Sequence, residues 1–223
     1  DAPGIFSPKK MARFYGDVYP IIKSVLPDCK VISSDPANIG SGTIKWHEAI
    51  FAAGGGKYFD ILAGHPYRQK PERPDLDSDI ADWVAMADRV KFKGDIWFTE
   101  GGNHPTLTLP GMSGTEPRFA PISTDMPGQH PLIDYNIRYV LLTMKHAARV
   151  KMFLNWTIQL PMNFLDGKPS PVAAEINAVA KTLGNATYVR DFKYGETIKT
   201  LAFNNGAGKG VAALWDWDDR LES

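Results

Sequence analysis

The stretch Asp95-Ile96-Trp97-Phe98-Thr99-Glu100 decides how this 223-residue chain is read. Four β-favouring residues follow one another without alternation, as in a strand buried on both faces of a parallel sheet. A carboxylate closing such a run costs desolvation free energy unless something uses its charge. Glu100 therefore reads either as a functional acid or as a cap of the next turn, sitting in water.

Working outward, the same alternation repeats on both sides. Ile80, Trp83, Val84, Ala87 and Val90 recur at helical spacing before the strand. Upstream of that helix, Tyr58 to Ala63 is an apolar strand ending at Gly64-His65-Pro66-Tyr67, and Gln69 to Asp77 is a Pro- and charge-rich loop. Earlier still, Ile44 to Ala53 is a helix stopped by Gly54-Gly55-Gly56, and Lys30 to Ser34 is a β-branched strand closed by Asp35-Pro36. Ser7-Pro8 opens a first helix through Met11, Phe14, Tyr15, Val18, Ile22 and Val25, which Pro20 is expected to kink or split.

Downstream of Glu100, residues 101–129 are irregular and rich in Gly, Pro, Thr and Ser, a length typical of lids and binding loops. Leu132 to Ala148 reads as helix and Lys151 to Ile158 as strand, while Ser170-Pro171 opens a last helix ending at Gly184. Three strand-like runs follow, Tyr188 to Phe192, Ile198 to Phe203 and Val211 to Trp217.

The order is helix, four strand–helix units, then consecutive strands. It predicts an α/β domain over 1–186 with a parallel sheet, and over 187–223 the start of an accessory β-domain. Four such units form either a small open sheet or half of a (β/α)8 barrel, which takes about 250 residues for eight units. The chain begins on a helix with no strand before it, which favours strands five to eight of a barrel.

Composition narrows the function classes. Lys+Arg and Asp+Glu both number 25, and there is no basic run of the kind nucleic acid or an anionic membrane demands. No apolar stretch approaches the roughly 18 residues of a membrane span. The first residues lack the basic start and apolar run of a signal peptide. Cys29 stands alone, so neither a disulfide nor a Cys-based zinc site forms within the chain. Asn185-Ala186-Thr187 and Asn155-Trp156-Thr157 match the glycosylation pattern, the second inside an apolar strand. Aromatics make 11% of residues, which suits sugar faces and ordinary cores alike.

Polar side chains gather where the strands end: Ser33, Ser34 and Asp35; His65 and Tyr67; Glu100 with Asn103 and His104; Asn155, Trp156 and Gln159. In parallel α/β folds that edge binds ligands. His65 and Tyr67, two apart, face the same way if extended. A phenol donating to a carboxylate would hold it ionised and fix its rotamer, although a buried structural His–Tyr pair has the same spacing. Trp156 could floor a sugar site or plug the sheet's end.

Together these residues resemble the later half of the clan A glycoside hydrolases, the retaining (β/α)8 group of cellulases, mannanases, xylosidases and iduronidase-like enzymes. There the sixth strand often ends His-x-Tyr, as His65 and Tyr67 do, and the seventh ends in the nucleophile, as Thr99-Glu100 does. The eighth carries an active-site tryptophan, matching Trp156. Pro27-Asp28-Cys29-Lys30-Val31, Trp46 and Gly54–Gly56 match the run before the sixth strand. The resemblance spans about Phe6 to Leu183.

It implies a carbohydrate substrate of plant or microbial type and two-step displacement, with Glu100 as nucleophile and no metal or organic cofactor. His65 and Tyr67 would orient Glu100, Trp156 would lie under the sugar, and Asn103, His104 and the 101–129 loop would shape specificity. The clan's acid/base glutamate ends the fourth strand. Asp1-Ala2-Pro3 looks like the stretch just after an Asn-Glu-Pro motif, so that glutamate is expected upstream of residue 1, in the missing N-terminal half of the barrel. Secretion or a periplasmic location is favoured by the resemblance alone.

Two other readings remain. His65, Glu100 and His104 are suitable metal ligands, but no His-x-His or His-Glu-x-x-His pattern accompanies them. A carbohydrate-binding barrel that cleaves nothing is the other, decided by the residue that stands at the acid/base position. Gly54-Gly55-Gly56-Lys57 precedes a strand instead of opening a helix, the wrong context for a phosphate loop.

Overall fold

The computed structural model describes residues 7–67, 71–72, 75–102, 129–154, 164–165, 168–169, 171–194, 197–206 and 208–216. The chain forms two compact units, one of Asp1–Tyr67, Ser78–Glu100 and Ala148–Leu154, the other of Arg68–Asp77, Gly101–Ala147 and Asn155–Ser223.

The first unit opens with α1 (Pro8–Val25), whose first turn is capped by Ser7 Oγ accepting from Lys10 N at 3.4 Å. The helix is not split at Pro20. Proline removes its own donor and crowds the carbonyl four residues before it, but an 18-residue helix keeps full turns on either side of that site. Ala12 and Tyr15 are buried on one face, whereas Phe14, Ile21 and Val25 form an exposed apolar stripe on another.

The expected strand at Lys30–Ser34 reduces to a single parallel bridge, Ile32 to Ile61. Its ladder is taken over in part by a side chain. Asp60 Oδ2 accepts from Val31 N at 2.8 Å, while Asp60 N donates to Val31 O at 2.8 Å and Ser33 N to Ile61 O at 2.9 Å. Next, α2 (Ser41–Ala52) is stopped at Gly54, whose φ of 82° lies in the left-handed region that glycine enters freely.

Three short strands follow: β1 (Ile61–Ala63), β2 (Asp95–Phe98) and β3 (Val150–Phe153). They pair in parallel in the order β1-β2-β3, with Leu62 beside Ile96 and Phe98 beside Phe153. Between β1 and β2 comes α3 (Leu76–Arg89). Ile39, Leu62, Ile80, Trp83, Met86, Ile96 and Phe98 are fully buried. The Phe51, Phe59 and Phe92 rings pack with centroids 5.3 to 5.8 Å apart.

The second unit contains α4 (Gln129–Lys145), the small antiparallel pair β4 (Phe164–Leu165) and β5 (Lys168–Pro169), and α5 (Pro171–Leu183). It ends in an antiparallel sheet, β6 (Thr187–Tyr194), β7 (Ile198–Asn204) and β8 (Gly210–Asp216), in chain order. The buried carboxylate of Asp77 ties these parts together. Lys145 Nζ and His146 Nε2 lie 2.8 Å from its oxygens, Lys199 Nζ lies 3.3 Å away, and Lys145 also reaches Asp191 at 2.8 Å. No helix among the described residues is long and apolar enough to cross a membrane.

Candidate active site

Three consecutive elements of the first unit end close together. The segment through Ile32 ends at Asp35, β1 runs on through Gly64 to His65 and Tyr67, and β2 runs on to Thr99 and Glu100. Gly64 makes the middle passage possible, because a Cβ there would lie 2.7 Å from Ile39 Cγ2 and 3.3 Å from the Trp83 ring. Backbone bonds then fix the two outer elements against the middle one: Gly64 N donates to Trp97 O at 3.3 Å, and His65 N donates to Pro36 O at 2.9 Å.

The side chains meet at Glu100. Tyr67 donates its phenol to Glu100 Oε2 at 2.7 Å, and His65 Nδ1 lies 3.5 Å from the same oxygen. On the other side of the ring, His65 Nε2 lies 2.9 Å from Asp35 Oδ1, close enough for an ion pair but not aligned as a hydrogen bond. The Thr99 hydroxyl donates to Asp35 Oδ2. The His65 and Tyr67 rings stand edge to face, 5.8 Å apart. His65 is 12% exposed, whereas the Asp35 and Glu100 side chains are 32% and 31% exposed. The carboxylates are open to a ligand and the imidazole between them is sheltered.

Burial first, then the bond to Glu100 and the charges of Glu100 and Asp35, push the Tyr67 phenol far above its ordinary range. Tyr67 thus stays protonated and remains a donor at every working pH. A carboxylate with one oxygen occupied by a permanent donor and the other unclaimed by it can act as a nucleophile or as a base.

Glu100, His65 and Tyr67 are therefore brought together, while Asn103, His104 and Trp156 lie outside the described residues. Among the described residues, no three His, Cys, Asp or Glu side chains are grouped as a metal site. Asp35 and Thr99 join the cluster, although the segment carrying Asp35 lies on the far side of β1 from Glu100. The available signal was the polar ending Ser33-Ser34-Asp35. A sheltered imidazole on the middle strand spans the gap that counting strands leaves open.

The fold has known counterparts. The chain superposes with a TM-score of 0.67 on a family 39 glycoside hydrolase from the gut symbiont Bacteroides cellulosilyticus WH2, at 21% identity over 97% of this chain and 46% of that one. AbfB, a family 51 α-L-arabinofuranosidase from Bifidobacterium longum, gives 0.65 at 14% identity, over 97% of this chain and 50% of that one. A family 128 curdlan-specific exo-β-1,3-glucanase from Blastomyces gilchristii gives 0.54 at 14% identity, over 76% of this chain and 62% of that one. At these identities the likeness is one of fold, and the fold is that of glycoside hydrolases. The chain spans about half the length of the first two. No family model and no curated protein sequence matches it.

Proposed function

We propose that this chain is the nucleophile-bearing half of a retaining glycoside hydrolase, strands five to eight of a (β/α)8 barrel, with residues 187–223 opening an accessory β-domain. The observation that carries this reading is the 2.7 Å bond from Tyr67 to Glu100 at the C-terminal edge of a parallel sheet. It is supported by the glycoside hydrolase fold, whose bearers act on arabinofuranosides and β-1,3-glucans. The substrate class that follows is a plant- or microbe-type polysaccharide or its oligosaccharides.

In the first step a Glu100 oxygen bonds to the anomeric carbon as the glycosidic C–O bond breaks. The departing oxygen takes a proton from a second carboxyl, which lies outside these 223 residues and about 5–5.5 Å from Glu100. In the second step that carboxylate removes a proton from water, and the water displaces Glu100 from the ester. Tyr67 fixes the rotamer of Glu100 throughout, Trp156 lies beneath the sugar, and Asn103 and His104 meet neighbouring parts of the substrate.

The exposed stripe Phe14, Ile21 and Val25 on α1 supports the half-barrel part of this reading, because a barrel helix normally lays such a face on the next helix. On this reading the second carboxyl comes from the other half of the barrel, and the 223 residues alone should not hydrolyse glycosides. The anomeric configuration of the first-formed product tests the mechanism. Proton NMR of the complete polypeptide acting on aryl glycosides should show retention, and an inverted product would exclude double displacement.

A further inference from the structure

The two nitrogens of His65 face different carboxylates, and only one of these is the proposed nucleophile. Nδ1 lies 3.5 Å from Glu100 Oε2, the oxygen that already accepts from Tyr67 at 2.7 Å. Nε2 lies 2.9 Å from Asp35 Oδ1. Asp35 is itself fixed from two sides, by the Thr99 hydroxyl at its other oxygen and by the bond from His65 N to the carbonyl of the next residue, Pro36.

Resting on the assignment of Glu100 as nucleophile, we propose that Asp35 is a positioning residue that holds the His65 ring against Glu100 Oε2, so that Oε1 is left as the attacking oxygen. A carboxylate whose two oxygens carry unequal donors reacts through the less encumbered one, because donors lower the charge available for bond formation. Among the described residues, the Tyr67 hydroxyl donates to Oε2 and His65 Nδ1 faces the same oxygen. The ring places one nitrogen toward each carboxylate, Nδ1 toward Glu100 and Nε2 toward Asp35. When Glu100 becomes an ester and loses its charge, Asp35 is the anion that keeps the ring in place for the second step. Asp35 acts through His65 and Thr99. Its partial exposure limits the effect, since water competes for the same oxygens.

The test is a double-mutant cycle in the complete polypeptide, read with the 4-nitrophenyl β-glucoside, β-xyloside and α-L-arabinofuranoside. Asp35→Asn should lower kcat about tenfold while KM stays within about twofold, since the interaction lost orients the attack and does not bind the ground state. In a His65→Gln background the same substitution should cost less than about twofold, because the path of its action is already gone. The ¹⁵N resonances of the His65 ring should move in Asp35→Asn, a signature that a purely structural aspartate outside the pair would not produce. A full tenfold loss persisting in His65→Gln, an unchanged kcat, or unmoved His65 resonances would overturn the proposal. Glu100→Ala separates the two layers. Lost turnover there beside an unaffected Asp35→Asn removes only the role of Asp35, while surviving turnover removes the nucleophile assignment and this proposal with it.

Discussion

Tyr67 shows how much of the site rests on one hydrogen atom. Its phenol donates to Glu100 at 2.7 Å, and its raised pKa keeps that proton in place. Hydrogen bonds to charged groups are worth about 1.5–3 kcal/mol, so Tyr67→Phe should lower kcat/KM of the complete polypeptide by about 10- to 100-fold with its melting temperature little changed. Steady-state kinetics with an aryl glycoside checks this, and equal rates for the two proteins would deny Tyr67 the role. At this scale the sequence was most informative. The carboxylate ending an apolar strand and the His-x-Tyr spacing both announce themselves as residue types out of keeping with their neighbours. Asp35 was harder to place, because its partner is an imidazole on the adjoining strand, and that contact has no spacing in the sequence.

Among the elements, strand and helix types followed from periodicity, while their ends followed from side chains that compete with the backbone. Lys30–Ser34 has the composition of a strand, yet Asp60 takes the Val31 N–H and leaves one bridge. Pro20 has the composition of a break, yet α1 continues past it. The Asp77 cluster was invisible in sequence because its members come from positions 77, 145, 146 and 199. Burial opposes ionisation of Asp77, but the bonds from His146 and Lys145 and the charges of Lys145 and Lys199 outweigh it, holding the carboxyl well below the usual range. A carboxyl with a lowered folded pKa gives stability that is present above its unfolded value, near 4, and is lost as pH falls toward the folded one. Asp77→Asn should therefore cost about 2–3 kcal/mol at neutral pH and flatten the fall in stability below about pH 4. Denaturant unfolding at pH 7 and pH 3 reads both effects. An equal loss at the two pH values would show that Asp77 contributes by packing and not by charge.

For the whole molecule, the chain carries the fold of glycoside hydrolases over about half the length of two of them. The apolar stripe of α1 is the feature that gives the proposed half-barrel a physical consequence. Phe14, Ile21 and Val25 are 52%, 65% and 72% exposed, and each aliphatic side chain fully buried by a partner helix gains about 1.5–3 kcal/mol. Replacing Ile21 by Lys and Val25 by Glu should make the 223-residue chain more soluble while destabilising the complete polypeptide by about 3–5 kcal/mol. Thermal melts of both forms check the opposed signs, and no change in the complete polypeptide would place that stripe at its surface. The central claim, that Glu100 is the nucleophile, has a more direct test. The complete polypeptide would be incubated with 2,4-dinitrophenyl 2-deoxy-2-fluoroglycosides, digested, and its peptides mapped by mass spectrometry. One fluoroglycosyl group, attached to Glu100, is expected; a label on Asp35, Glu116 or any other carboxylate would contradict the assignment.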